Sequence, residues 1–243
     1  MARNRKTPVK GDPAARDEAE ARSAVDAFVA KVAAMPNVRP AAERGRLLLA
    51  MDATMSRQPT WDRACQLQGE MFLATRDIGG LDVQLVFFRG FGELKKSPWG
   101  SDAGALLRLM SSVSCRGGYT QIERVLELAL RETAERKVDA VVYVGDCCEE
   151  EADRLCHLAG QLGVLGVPIF LFHEGGDPIA AMAFREIARL SGGAYAPFDA
   201  GSADQLKDLL RAVAVYAAGG RSALERITGA SARSARLLLE QIR

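Results

Sequence analysis

The sequence lacks the long apolar run that a membrane-spanning helix requires. Such a helix needs roughly 18 consecutive apolar residues, whereas the longest run here, residues 164–172, has the size of a strand and is interrupted by Pro168. The N-terminal residues are polar through Ser23, without the apolar centre of a signal peptide, and the acidic residues among them argue against a transit peptide. The sequence therefore predicts no membrane span.

An excess of one charge and a set of paired cysteines are also missing. The chain has 32 Lys and Arg against 31 Asp and Glu, so its formal net charge is only +1 and offers no global field to nucleic acid or an anionic membrane. The five cysteines are an odd set without a disulfide-framework spacing, which favours reduced thiols and a cytoplasmic location. With 48% apolar residues, the chain has enough apolar side chains to form a large core.

The chain divides into four predicted segments. Residues 1–11 read as a basic mobile tail, and residues 12–44 as an amphipathic helix followed by a connection, because apolar residues recur there at helical spacing. Residues 45–218 form the main domain. Residues 219–243 form an Arg-rich helical tail that begins after a Gly pair.

Within the main domain, short apolar runs alternate with helical patterns. This alternation predicts crossover units, and the lack of polar alternation within the runs predicts strands that are covered on both faces. We therefore expect an open, doubly wound α/β domain with a mainly parallel sheet. The strand candidates are 47–51, 83–88, the more polar edge 93–99, 141–144, 167–172 and 194–198.

Oxygen-bearing side chains follow two of these strands and precede one helix. The first strand ends in Asp52, Thr54 and Ser56, the fourth is followed by Asp146, and Thr120 lies just before a helix. Ligands of doubly wound sheets bind at the carboxyl ends of strands, so we expect these five side chains to converge. Two carboxylates and three hydroxyls suit a hard cation, Mg²⁺ first and Mn²⁺ or Ca²⁺ next.

At these residues the sequence resembles the von Willebrand factor type A (VWA) domain with its metal-ion-dependent adhesion site (MIDAS), in its intracellular prokaryotic form. The family pattern is Asp-x-Ser-x-Ser after the first strand, a later Thr and an Asp after the fourth strand. The resemblance implies strand order 3-2-1-4-5-6 with strand 3 antiparallel at the edge, and Asp52 facing Asp146. It also implies that Thr54, Ser56 and Thr120 contact the metal most closely.

Two departures and one charge run surround this motif. Cys147 follows Asp146 where the family usually has Gly, and Tyr119 separates Thr120 from the preceding Gly pair. Thr120 also begins a capping-box pattern and could serve only to cap a helix. The acidic residues Glu149, Glu150 and Glu151 are either a rim that strengthens cation capture or a helix N-terminus favoured by its dipole.

The sequence gives less support to other kinds of functional site. The spacing of Cys147, Cys148, Cys156 and His157 does not match a chelating zinc pair, and a lone His173 is more typical of a solvated or loop-bonded residue than of a catalyst. No Walker A, Gly-x-Ser-x-Gly or His-Glu-x-x-His motif occurs. The leading prediction is therefore a non-enzymatic module, whose metal site is completed by an Asp or Glu of a partner protein.

The resemblance also implies that the chain acts together with an ATP-driven remodelling protein. Two alternatives stay open at this point. One is a scaffold domain with a degenerate metal site and assembly through its terminal helices. The other is a metal-assisted hydrolase, which the scarcity of candidate bases disfavours because the chain has only 2 His.

Overall fold

The computed structural model describes most of the main domain and part of the C-terminal segment. The described residues are 44–54, 61, 80–198, 203–227 and 232–242. Two predictions therefore concern residues outside the described part: the N-terminal tail and helix, and the metal-ligand role of Ser56.

The described strands form one six-stranded sheet in the order β3-β2-β1-β4-β5-β6. Every neighbouring pair is parallel except β2 and β3, which are antiparallel at the edge. This arrangement confirms the predicted strand order and the antiparallel edge strand. The strands are β1 (Gly45–Asp52), β2 (Leu81–Arg89), β3 (Glu93–Lys96), β4 (Ala140–Gly145), β5 (Ile169–Glu174) and β6 (Ala194–Phe198).

Helices cover both faces of this sheet. One face packs against α1, α5 and α6, and the other against α2, α3 and α4. Every residue of β1, β4 and β5 is buried as a result, which explains why these strands carry no polar alternation. The helices are α1 (Ala103–Ser111), α2 (Ile122–Glu135), α3 (Ala152–Val164), α4 (Pro178–Ser191), α5 (Ala203–Glu225) and α6 (Ala232–Leu239).

The C-terminal segment packs back onto the domain. Helix α5 is broken at Gly220, whose φ of 69° and ψ of −169° are not helical. The chain then returns through α6, and Leu238 and Ile242 join the core. The Gln241 side chain accepts a hydrogen bond from the backbone N–H of Tyr195 at 2.8 Å and donates to its carbonyl at 3.1 Å. These two bonds pair backbone groups of β6, the edge strand of the sheet.

The buried carboxylate of Glu132 joins α2 to one end of the sheet. This is the end opposite to the one at which Asp52 lies. Glu132 lies 2.6 Å from Lys96 Nζ and accepts hydrogen bonds from the indole of Trp99 at 2.6 Å and the amide of Gln84 at 3.2 Å. The Arg46 guanidinium, also buried, lies 3.5 Å from the same carboxylate and stacks on the Trp99 ring. Because Arg46 is at the amino end of β1, this network connects α2 with three strands.

Candidate metal centre

Asp52 and Asp146 meet where β1 and β4 end. These strands are parallel neighbours, with Met51 beside Val144, so their carboxyl ends open at the same edge of the sheet. Asp52 is fully buried and Asp146 half-buried. One potential ligand atom from each of Asp52, Asp146 and Cys147 lies within 4.8 Å of the other two. The structure thus brings together the two predicted carboxylates and adds a thiol.

The loop after β1 is fixed by short local bonds. The backbone N–H of Thr54 donates to Asp52 Oδ1 at 2.7 Å, which holds the carboxylate against its own loop. The backbone of Ala53 accepts from the N–H of Arg116 at 3.0 Å and donates to the carbonyl of Phe88 at 3.0 Å. The first bond holds the loop that carries Asp52 and Thr54 beside the segment that precedes α2, and the second holds it beside the end of β2.

Thr120 is bound to the loop after β4 rather than to its own helix. Its hydroxyl accepts from the backbone N–H of Glu149 at 3.2 Å, and its backbone N–H donates to the Glu149 carboxylate at 3.0 Å. The residue at the start of α2, Gln121, makes no side-chain capping bond. The alternative in which Thr120 only caps its helix is therefore wrong. Thr120 is buried and joins the loop that contains Asp146.

The acidic run after Cys148 serves the N-terminus of α2. The Glu150 carboxylate accepts from the backbone N–H of Ile122 at 2.5 Å and from that of Glu123 at 2.9 Å. Glu151 precedes α3 and makes no side-chain capping bond there. An acidic side chain of this run therefore does stabilise the N-terminus of a helix, as the dipole interpretation expects. The helix that Glu150 stabilises is α2, on the other side of the loop, rather than α3.

Replacing Glu150 with glutamine is expected to destabilise the fold by about 1–2 kcal/mol, because a neutral amide accepts these two backbone bonds less strongly. Glu151→Gln makes the same charge change at an exposed side chain without a capping bond, and we expect it to stay within about 0.5 kcal/mol of wild type. Urea unfolding of both variants measures the difference. Equal stabilities would refute the capping role.

Cys147 is the feature at this site whose role sequence reasoning left open. Its half-buried thiol lies within 4.8 Å of a carboxylate oxygen of Asp146. Burial raises the pKa of Cys147 to about 12, and the nearby charges of Asp146, Asp52 and Glu149 act in the same direction. In the described residues, Cys148 and Cys156 do not belong to this three-residue group. The feature of the sequence that pointed to Cys147 was its position directly after Asp146, where the resembled family usually has Gly.

His173, at the end of β5, positions the backbone of the Asp146 loop. Its Nε2 lies 3.2 Å from the carbonyl of Asp146 and its Nδ1 lies 2.9 Å from the hydroxyl of Tyr195. The ring is fully buried, so the expectation of a solvated histidine is wrong, whereas the loop-bonded alternative holds. Burial lowers the pKa of His173 below its ordinary value of 6.5, which favours the neutral ring.

An exposed aromatic pair borders Thr120. Phe91, at the tip of the β2–β3 turn, is 83% exposed and meets Tyr119, 60% exposed, edge to face with ring centroids 5.3 Å apart. The backbone N–H of Tyr119 donates to the carbonyl of Gly90 at 3.3 Å. A Cβ on Gly118 would lie 2.1 Å from that carbonyl oxygen, so glycine permits the close approach of the two loops.

Comparison with known proteins identifies the fold that carries this site. No family model matches the chain, and no curated protein matches it significantly. The SpRpn10 VWA domain matches with a TM-score of 0.54 at 12% identity, over 67% of this chain and 95% of that domain. An aerotolerance-related membrane protein from Bacteroides fragilis NCTC 9343 matches with a TM-score of 0.53 at 18% identity, over 68% of this chain and 96% of that chain. The chain has the VWA fold.

A further VWA-fold relative was solved with a metal. Proximal thread matrix protein 1 of the mussel byssus, with a zinc-occupied MIDAS motif, has a TM-score of 0.51 and 19% identity. The match covers 71% of this chain and 45% of that one. At identities this low, the structural matches establish the shared VWA fold alone. The metal chemistry of this chain has to be inferred from its own residues. No helix in the described part of this VWA-fold chain is long and apolar enough to cross a membrane.

Proposed function

We propose that the chain is a protein-interaction module that depends on a divalent metal ion. The metal would be held by five side chains: Asp52, Thr54, Ser56, Thr120 and Asp146. The observation that carries the proposal is the meeting of Asp52 and Asp146 at the switch point between β1 and β4. Mg²⁺ is the ion that these oxygen ligands favour, with Mn²⁺ and Ca²⁺ as alternatives, and the zinc-occupied MIDAS of the byssus protein supports a divalent ion at this place in the fold.

The residues present fit such an ion. Two carboxylates whose oxygens lie within 4.8 Å of each other repel when both are ionised, and burial of Asp52 strengthens that repulsion. A divalent ion between them removes the repulsion and supplies a positively charged coordination position. The carboxylate of a partner's Asp or Glu is the ligand that this position would take.

The surroundings favour binding over hydrolysis. The nearest described histidine, His173, has both ring nitrogens within hydrogen-bond distance of Tyr195 and the Asp146 carbonyl, so it is poorly placed as a general base. The Phe91–Tyr119 pair instead offers an exposed apolar surface next to Thr120. We propose that the partner places an apolar side chain there while its carboxylate reaches the metal.

The setting of this interaction is also part of the proposal. Among the described residues, Cys147, Cys148 and Cys156 are free thiols, in keeping with a cytoplasmic location. An assembly with an ATP-driven remodelling protein follows from the family resemblance and stays a prediction.

Selection of peptides from a random display library tests the interaction. The immobilised chain is loaded with Mn²⁺, and bound peptides are released with a chelator. We expect the recovered peptides to share an Asp or Glu whose amide replacement abolishes binding, and Asp146→Asn protein to recover none of them. Peptides that lack a common carboxylate, or that bind equally well in chelator, would contradict the proposal.

A further inference from the structure

The strongest unexplained feature of the site is its thiol. Cys147 follows Asp146 directly, and its Sγ belongs to the same 4.8 Å group as oxygens of Asp52 and Asp146. We propose that Cys147 is a thiolate ligand of the bound ion, so that this site selects Zn²⁺ over Mg²⁺. The inference rests on the proposed function, because it takes Asp52 and Asp146 to be metal-binding residues.

A buried hydroxyl next to the loop of Asp146 supports a ligand at this position. Tyr143 is fully buried, and a Cβ on Gly145 would lie 2.7 Å from its hydroxyl, which places that hydroxyl directly under the loop of Asp146. Burial raises the pKa of the Tyr143 hydroxyl, and the nearby acidic groups of Asp52, Glu150 and Cys147 act in the same direction. Within the part of the chain that the structure describes, this hydroxyl has no hydrogen-bond partner.

A buried hydroxyl without a hydrogen-bond partner destabilises the fold, because it has lost its bonds to water. It therefore marks a place where a further group is expected. A thiolate at Cys147, or a water held between it and Asp52, would accept the hydrogen bond of Tyr143. The buried hydroxyl and the ligand cluster are separate observations, and both lie at the end of β4, where Gly145 precedes Asp146 and Cys147.

The chemistry of the donor set decides which ion fits. Mg²⁺ binds oxygen and avoids sulfur, whereas Zn²⁺ binds thiolate and carboxylate in four-coordinate sites. With Zn²⁺ bound, Asp52, Asp146 and Cys147 would supply three such ligands, in place of the five oxygen ligands proposed for Mg²⁺, and would leave a fourth position for a partner carboxylate. When the sulfur–metal bond forms, the thiol proton is released to solvent.

Neighbouring cysteines provide matched controls. Cys148 is half-buried like Cys147, but its Sγ lies 3.9 Å from the Glu150 carbonyl and outside the cluster. Cys148→Ser therefore makes the same change one residue away. Cys147→Gly restores the residue usual in the family and tests whether the site then becomes a magnesium site.

The test is a titration of the reduced, chelator-stripped full chain with Zn²⁺, Mg²⁺ and Co²⁺. We expect Cys147→Ser to weaken Zn²⁺ binding by about tenfold or more while Mg²⁺ binding changes by less than about twofold. With Co²⁺, wild type and Cys148→Ser should show a sulfur-to-cobalt charge-transfer band that Cys147→Ser and Cys147→Gly lack. Circular dichroism of each variant confirms folding.

Each outcome separates this inference from the proposed function. If wild type binds metal, Asp146→Asn abolishes binding and Cys147→Ser changes neither the Zn²⁺ affinity nor the cobalt spectrum, the thiolate is refuted and the oxygen site stands. If wild type binds none of the three ions, both proposals fall. A zinc-selective wild type with a magnesium-binding Cys147→Gly variant supports both.

Discussion

Glu132→Gln is expected to lower the free energy of unfolding by about 3 kcal/mol, because a buried guanidinium loses its direct ion-pair partner. The charge in question is that of Arg46, which is buried 3.5 Å from the Glu132 carboxylate. Lys96 can turn towards solvent because its side chain is 51% exposed, whereas Arg46 is held beneath Trp99. Urea denaturation followed by circular dichroism measures the loss.

A surface carboxylate provides the matched control for this variant. Glu186 pairs with Arg189 on α4, and both side chains are largely exposed, so Glu186→Gln should change stability by less than about 0.5 kcal/mol. Glu132→Gln should also leave metal affinity unchanged, because its network lies at the opposite end of β1 from Asp52. Equal stabilities of the two variants would refute the role assigned to Glu132.

The stabilisation by Glu132 should depend on pH with a defined sign. Burial raises the pKa of Glu132, but hydrogen bonds from Lys96, Trp99 and Gln84 outweigh burial and hold the pKa below its ordinary value of 4.5. A pKa that is lower in the folded chain than in the unfolded chain stabilises the fold above the unfolded pKa. This contribution is lost as the pH falls through the folded pKa. The difference between wild type and Glu132→Gln should therefore shrink in acid.

Asp52→Asn is expected to have the second large effect, a loss of metal affinity of about 100-fold or more. An asparagine oxygen can still accept the 2.7 Å bond from the Thr54 N–H, so the loop should keep its shape. The metal-free variant should be as stable as wild type or more stable, because the repulsion between Asp52 and Asp146 disappears. In wild type the metal should raise the melting temperature, and in the variant it should not.

Asp153→Asn separates the loss of a ligand from a general loss of charge. Asp153 is exposed in the first turn of α3 and lies outside the ligand cluster, and its replacement makes the same change in net charge. We expect its metal-induced rise in melting temperature to match that of wild type. If Asp52→Asn behaves like Asp153→Asn, Asp52 is not a metal-binding residue.

The sheet could be predicted because a short stretch of neighbouring residues is enough to indicate each buried strand. Residues 47–51, 141–144 and 169–172 are short continuous apolar runs, and such runs are what a sheet covered on both faces requires. The meeting of Asp52 and Asp146 followed from strand order alone, since both residues come directly after neighbouring parallel strands. That strand order came from the resemblance to a known fold.

The contacts between loops could not be predicted in the same way. Thr120 and Glu149 are 29 residues apart, and the capping pattern at Thr120 suggested a local partner, whereas the loop after β4 supplies the actual one. Glu150 likewise stabilises a helix that begins 28 residues earlier in the chain. His173 is buried because Tyr195 and the Asp146 carbonyl enclose its ring, which only the packed structure shows.

The most direct measurement is calorimetric titration of chelator-stripped protein with Mg²⁺, Mn²⁺ and Zn²⁺, with Asp146→Asn beside wild type. We expect saturable binding to one site in wild type and its loss in the variant. Absence of saturable binding of all three ions to wild type, or undiminished binding to Asp146→Asn, would contradict the central claim that Asp52 and Asp146 form a metal centre.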